Sequence, residues 1–405
     1  MRMRRTVAVV ALLLGAFAQL ARPAAAGTLG EHEVFSTILA QPVAVPSPVT
    51  GADGKVHLAY ELMVVNPSML RVTLASIDAL APDGKPLGRL DGDALVKLTR
   101  IDGGGTSPTL APGIAAWVLM DVTFVPGTPL PSAIDHRITL RREVVVPEGA
   151  MPMALPGGMS AEVSFVGARV RVDPTPAVVI APPLRGGGWL VFNGCCDDMT
   201  SHRGAVLAIN GAPHVSERFA IDFVQLDAQG RLMTGPVEQL ASYPYFGVPV
   251  HSVAAGTVVN LADGLAEEVP GAVPNNSSPE TAGGNFVVVD IGKGRFAFYA
   301  HLQPGSLKVK LGDRVKTGDV IGLLGNTGNT TAPHLHFHVM DGRTPLGSNG
   351  LPYAFTSFVG EGVLDEAKSA DLFAKSAPAV IERERLAGPH KDQLPLDDMV
   401  IRFPD

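Results

Sequence analysis

The chain has 405 residues and a net charge of −7, with Lys+Arg 32 against Asp+Glu 39, so the basic footprint of a nucleic-acid binder is missing. Its 45 glycines and 34 prolines, set against few long helical patterns, point to strands and turns and to a mostly β protein. The two cysteines, Cys195 and Cys196, are adjacent, which excludes a loop-closing disulfide framework within one chain; a vicinal disulfide, a free thiol pair or a single metal thiolate remain, with a non-catalytic role favoured.

Residues 1–26 carry a basic start, an apolar run and a small-residue A-x-A end, the layout of a secretory signal peptide cleaved near Ala26. General export is favoured over a twin-arginine route from Arg4 and Arg5. The expected mature chain is periplasmic or secreted, with a net charge of about −11. No later segment has the roughly 18 uninterrupted apolar residues of a membrane span.

Residues 27–175 alternate short apolar runs with turn signals. In "VHLAYELMVVN" the residues Val56, Leu58, Tyr60, Leu62 and Val64 share one strand face, with His57 and Glu61 on the other. This domain is expected to be an immunoglobulin-like β-sandwich without the cysteine pair of antibody domains. Here His32, His57 and His136 stand singly and read as packed or solvated side chains. A Pro/Gly-rich linker is expected over 176–186. A second, antiparallel β domain follows over 187–360, interrupted by a polar loop between Asp263 and Gly284 that is long enough to wall a site. The tail, 361–405, is expected to be peripheral, with a short amphipathic helix in "LDEAKSADLFAKSA".

The stretch "TAPHLHFHVMD" places His334, His336 and His338 at alternate positions, hence on one face of a strand, while Leu335, Phe337 and Val339 point into a core. Three imidazoles projecting from one rigid strand suit metal ligation better than packing.

Together with "YAHL" at 299–302, "GDRVKTGDVIGLLGNTG" at 312–328 and the strands "VHSVAAGTVV" and "GGNFVVVDIG", this stretch resembles the lysostaphin or LytM-type peptidoglycan metalloendopeptidases. The resemblance covers about 218–342 and implies a LytM-like β domain with a zinc centre. Position by position it implies that His336 and Asp222 are zinc ligands. It implies that His301 and His334 work on the substrate, activating a water and stabilising the oxyanion.

The sequence departs from that family at Arg218, where the resemblance expects a ligand histidine four residues before Asp222. A guanidinium stays protonated and cannot ligate zinc. His214 lies eight residues from Asp222, about 26 Å along an extended strand at roughly 3.3 Å per residue, too far to share an ion. A hairpin closed by residues 210–214, with Ile209 opposite Val215, sets His202 across from Asp222, and His202 is the expected replacement ligand. The resemblance also includes a branch reading "HR…RFAID", which "SHRGA…SERFAID" matches. His338 is expected to support the ligands. Arg218, read as sharing the strand face of Asp222, is expected to pair with an acid or to face a substrate carboxylate.

The implied activity is zinc-dependent cleavage of peptide crosslinks, with peptidoglycan peptide stems as the partner. The rival reading is a degenerate LytM-like module that binds the wall or activates another hydrolase.

Overall fold

Strict alternation makes Val56–Val65 a strand with two different faces, and both turn out to be buried. Leu58, Tyr60, Leu62 and Val64 face inward, joined by Val118, Met120 and Val122 of the neighbouring strand Ala115–Phe124. Across from them lie Val72, Leu74, Ile77, Ile138 and Leu140 from a second sheet built on Leu70–Leu80 and Ala133–Val144. Each sheet has five strands, all antiparallel, and the two share one apolar core, which is a β-sandwich. Each fully buried Leu, Ile or Val in that core contributes about 1.5–3 kcal/mol of apolar burial.

His136 is packed rather than solvated: its Nε2 lies 2.7 Å from the Tyr60 hydroxyl and its Nδ1 2.8 Å from the Ala168 carbonyl. The outer face of the sheet built on Val56–Val65 and Ala115–Phe124 carries His57, Ala59, Glu61 and Asp121. It is covered by the second domain, since Ala59 belongs to that domain's core and Glu61 is fully buried.

The computed structural model describes residues 33–102, 104–146, 149, 151, 153–274 and 278–405; the expected signal peptide and His32 lie outside these. Ser36–Asp405 cluster as one compact unit. Among the described residues no helix is long and apolar enough to cross a membrane.

The second domain is organised by one large sheet. Its central order is Gly256–Ala262, Asn285–Gly292, Arg295–Leu302, Leu335–Met340, Ile221–Gln225, Gly186–Phe192, Met399–Phe403 and Phe358–Leu364, every neighbour antiparallel. Two expected boundaries are corrected. The 176–186 linker is partly built in, because Val178–Ile180 pairs in parallel with Tyr353–Phe355. The 361–405 tail is not peripheral: Met399–Phe403 is inserted between Gly186–Phe192 and Phe358–Leu364. The physical reason is its apolar content, since Met399, Val400, Ile401 and Phe403 are all buried. The helix expected in the tail is a single turn, Leu372–Lys375, preceded by the 3-10 turn Glu366–Lys368.

Candidate metal centre

Three adjacent strands deliver the centre. Leu335–Met340 lies between Arg295–Leu302 and Ile221–Gln225, in a register that sets His336 opposite Asp222 on one side and Ala300 on the other. Asp222 is also paired with Phe192, so the next residue, Asn193, reaches the same carboxylate and donates from Nδ2 to Oδ2 at 2.8 Å.

The Asp222 carboxylate is the hub. Oδ1 lies 3.0 Å from His336 Nδ1 and 3.3 Å from His334 Nε2, and Oδ2 lies 3.2 Å from His202 Nε2. Ligand atoms of His202, Asp222 and His336 all fall within 4.8 Å of one another. Burial alone would raise the Asp222 pKa, but His202 and then His334 hold it well below the usual carboxylate range.

His202 Nδ1 faces the carbonyls of Asn193 and Ala220 at 3.0 and 3.1 Å, so it carries a proton and Nε2 is presented to Asp222. Two acceptors 3.2 Å apart need a positive charge between them. A shared proton meets that need in one way, and the His202 pKa is accordingly pushed up to about 9: burial works against this, and the Asp222 charge and hydrogen bond outweigh it. A cation meets it in the other way. His336 turns Nδ1 to Asp222 and Nε2 to His338 Nδ1, 2.9 Å away. Burial, then His336 and His202, hold the His338 pKa well below its ordinary value, so its ring is neutral and can accept the Nε2–H of His336, the tautomer in which His336 Nδ1 can bind a metal. Two imidazoles and one carboxylate, with orienting partners behind them, are a donor set that fits zinc.

His301 and His334 stand beside this group with ring centroids 4.4 Å apart. Each is anchored through Nδ1, His301 to the Thr327 carbonyl at 2.7 Å and His334 to the Ala332 carbonyl at 2.8 Å. His301 has φ 61°, a left-handed conformation that is costly for a residue with a Cβ, and its own N–H donates to Gly283 O. The segment that holds it is tight: a Cβ on Gly284 would fall 2.1 Å from the Thr327 carbonyl oxygen, so only glycine fits there. Burial, then His334 and His336, hold the His301 pKa well below its ordinary value. For His334 burial pulls down, but Asp222 raises it. The pair sits in a groove of about 490 Å³ whose walls include Pro279 and Gly283 of the polar loop and Phe192 and Phe373 at one end.

Two geometric expectations are corrected. The hairpin closes by a two-residue Asn210-Gly211 turn, with Ile209 opposite Ala212 and Leu207 opposite His214, because Asn210 and Gly211 both take positive φ. His202 is therefore not a strand partner of Asp222 but sits in the turn 201–204 that precedes the hairpin. Arg218 does not share the strand face of Asp222, since the strand begins at Ile221. Its guanidinium turns to the sandwich, where Nη2 and Nε meet Glu61 at 2.5 and 2.9 Å. It faces an acid of the protein, not the groove.

Sequence reasoning missed Asn193, Glu61, Arg203 and the Phe192–Phe373 pair. Asn193 could have been found from the strand before it, which ends where the pairing with Ile221–Gln225 begins. Nothing local marks Glu61, because its partners are 142 and 157 residues away.

The antiparallel sheet thus gathers two imidazoles and a carboxylate, with two further imidazoles beside them, into one candidate metal centre. Residues 241–348 match peptidase family M23, and the chain carries a domain of that family. Among curated relatives it is 44% identical over 57 residues to "Peptidoglycan DD-endopeptidase ShyA" of Vibrio cholerae, covering 14% of this chain and 13% of that protein. It is 43% identical over 65 residues to "Glycyl-glycine endopeptidase ALE-1" of Staphylococcus capitis, covering 16% of this chain and 17% of that protein. The matches span no more than 20% of the length of these relatives, a value set by an uncharacterized metalloprotease of Buchnera aphidicola. Among solved structures, the catalytic domain of lysostaphin from Staphylococcus simulans aligns at 24% identity over 42% of this chain and 88% of that one, with a TM-score of 0.22.

Proposed function

We propose that this chain is a zinc-dependent endopeptidase that cuts peptide crosslinks of bacterial peptidoglycan, in the periplasm or outside the cell. The observation that carries the reading is the set of contacts around Asp222, with His202 supplying the imidazole that Arg218 cannot. His202, Asp222 and His336 would hold the metal. When bound, zinc supplies Lewis acidity toward an amide carbonyl and a water.

The chain's own groups do the rest. Asn193 fixes the carboxylate, and His338 fixes the ring of His336. His301 and His334 both line the groove with their Nδ1 positions tied to carbonyls, and His334 Nε2 lies 3.3 Å from Asp222 Oδ1. Between them they can accept a proton from water and donate one to the oxyanion or the leaving amine. The family match and the relatives named as peptidoglycan and glycyl-glycine endopeptidases support a wall peptide as substrate.

The test is metal analysis of the purified protein together with digestion of defined crosslinked wall peptides. About one zinc per chain and new amine ends are expected. A protein that takes up no zinc and releases no ends overturns the reading.

A further inference from the structure

The adjacent cysteines play no part in the hydrolytic centre, yet they sit in a prepared environment. They form a disulfide, and both are buried. The Cys196 Sγ, a ring nitrogen of His57 and a carboxylate oxygen of Asp121 lie within 4.8 Å of one another. His57 and Asp121 project from the outer face of the sandwich, whereas Cys196 belongs to the loop after Gly186–Phe192. A cavity of about 320 Å³ opens on all three.

Two further observations point to a ligand there. The Asp121 side chain is only 9% exposed, and while Oδ2 lies 2.7 Å from His57 Nδ1, the buried Oδ1 has no hydrogen-bond partner. His57 is backed by a second carboxylate, with Nε2 3.1 Å from Asp53 Oδ1. A carboxylate accepting from one ring nitrogen orients the other for metal binding.

We propose that reduction of the Cys195–Cys196 disulfide opens a second metal site, formed by His57, Asp121 and Cys196, for a borderline divalent cation such as zinc. The three side chains offer one nitrogen, one oxygen and one sulfur donor, and the cavity leaves a fourth position for water. In the disulfide the sulfur is not a thiolate, and the set is one donor short. A dithiol supplies the two electrons: the Sγ–Sγ bond breaks, two thiols form and the dithiol becomes a disulfide. Binding then releases the Cys196 thiol proton and the extra proton of His57, while Cys195 stays a thiol. The ion ties the sandwich to the loop that also carries Asn193 and His202. This site does not depend on the peptidase reading.

Cobalt(II) added to the full chain distinguishes the two centres, because only a thiolate ligand gives the intense near-ultraviolet charge-transfer band. The oxidised protein is expected to lack the band. Protein reduced with dithiothreitol and desalted without air is expected to show it, with one more cobalt per chain than the oxidised form. Cys195→Ser leaves Cys196 free and is expected to show the band without any reductant. In that background His57→Ala and the near-isosteric Asp121→Asn should each weaken cobalt binding at least tenfold. Absence of the band from both reduced protein and Cys195→Ser overturns the proposal, as does a band that neither His57→Ala nor Asp121→Asn alters.

Discussion

Arg218 and Glu61 form a fully buried bidentate ion pair, Nε to Oε1 at 2.9 Å and Nη2 to Oε2 at 2.5 Å, joining the second domain to the sandwich. Arg203 adds a third charge, with Nη1 2.9 Å from Glu61 Oε1 and Nη2 3.2 Å from the Met120 carbonyl. Burial alone would raise the Glu61 pKa, but Arg218 and then Arg203 hold it below its ordinary value. The position where the resemblance expects a ligand thus serves a different purpose: it joins Arg203, the neighbour of His202, on Glu61. Arg100 and Lys97 of the sandwich reach the same loop, at Gly204 O and Asp198.

Glu61→Gln leaves two buried guanidinium groups short of charge. Removing one partner from such a group costs about 3–5 kcal/mol. The midpoint of chemical denaturation should fall accordingly. Because Arg203 follows His202 directly, zinc affinity measured against a competing chelator should also fall about 10- to 100-fold, the effect typical of losing an orienting partner. A variant that is less stable but binds zinc normally would show that the sandwich stabilises the protein without positioning the ligand.

The ligands and the two groove imidazoles should separate cleanly in metal analysis. His202→Ala and His336→Ala are expected to lose the zinc. His338→Leu, which removes the hydrogen-bond partner of His336 Nε2, should weaken binding about 10- to 100-fold without abolishing it. His301→Ala and His334→Ala are expected to keep the metal while kcat on a crosslinked wall peptide falls about 10²- to 10⁴-fold. Full zinc content in His202→Ala would remove it from the ligand set.

How legible this centre was depends on sequence separation. His334, His336 and His338 declare themselves by strand period, since the face they share is fixed within five residues. The contact of His336 with Asp222 is implied only through resemblance, because it crosses 114 residues. The expected hairpin register fails because the turn is the two residues Asn210-Gly211 and not the five of 210–214, and His202 meets Asp222 from a turn, not a strand. The sandwich core was readable from alternation in Val56–Val65. That the outer face of this strand is also buried was not, since His57 and Glu61 look polar until their partners arrive from other segments. The apolar run at Met399–Phe403 does not announce its place in the sheet, since its pairing partners begin far upstream at Gly186 and nearby at Phe358.

Phe373 tests whether the C-terminal segment belongs to the groove. Its ring packs against Phe192 with centroids 4.9 Å apart, and both line the end of the groove nearest Asn193. The pair offers apolar surface and no titratable group, so it should act on binding more than on chemistry. Phe373→Ala is expected to raise KM for a crosslinked peptide several-fold with kcat within about twofold. An equal fall in kcat and kcat/KM would instead place the effect on the transition state.

The pH dependence of stability should carry a signature of His57. Burial lowers its pKa, but Asp121 and then Asp53 more than compensate and push it up to about 9, from an ordinary 6.5. A group whose pKa is raised on folding stabilises fully below the unfolded value and loses that contribution as pH climbs through the folded one. The window is therefore about 6.5 to 9, and the loss is on the order of 3 kcal/mol at most. Asp397 and Asp398, held up at about 7 and 8 chiefly by burial, and His202, at about 9, titrate nearby, so the absolute curve is composite. The informative quantity is the difference between the zinc-loaded protein and His57→Gln, each unfolded in urea from pH 6 to 10. His57→Gln should be less stable at pH 6, with the gap closing toward pH 10. A gap that stays constant across the range would mean that His57 is neutral between its two carboxylates.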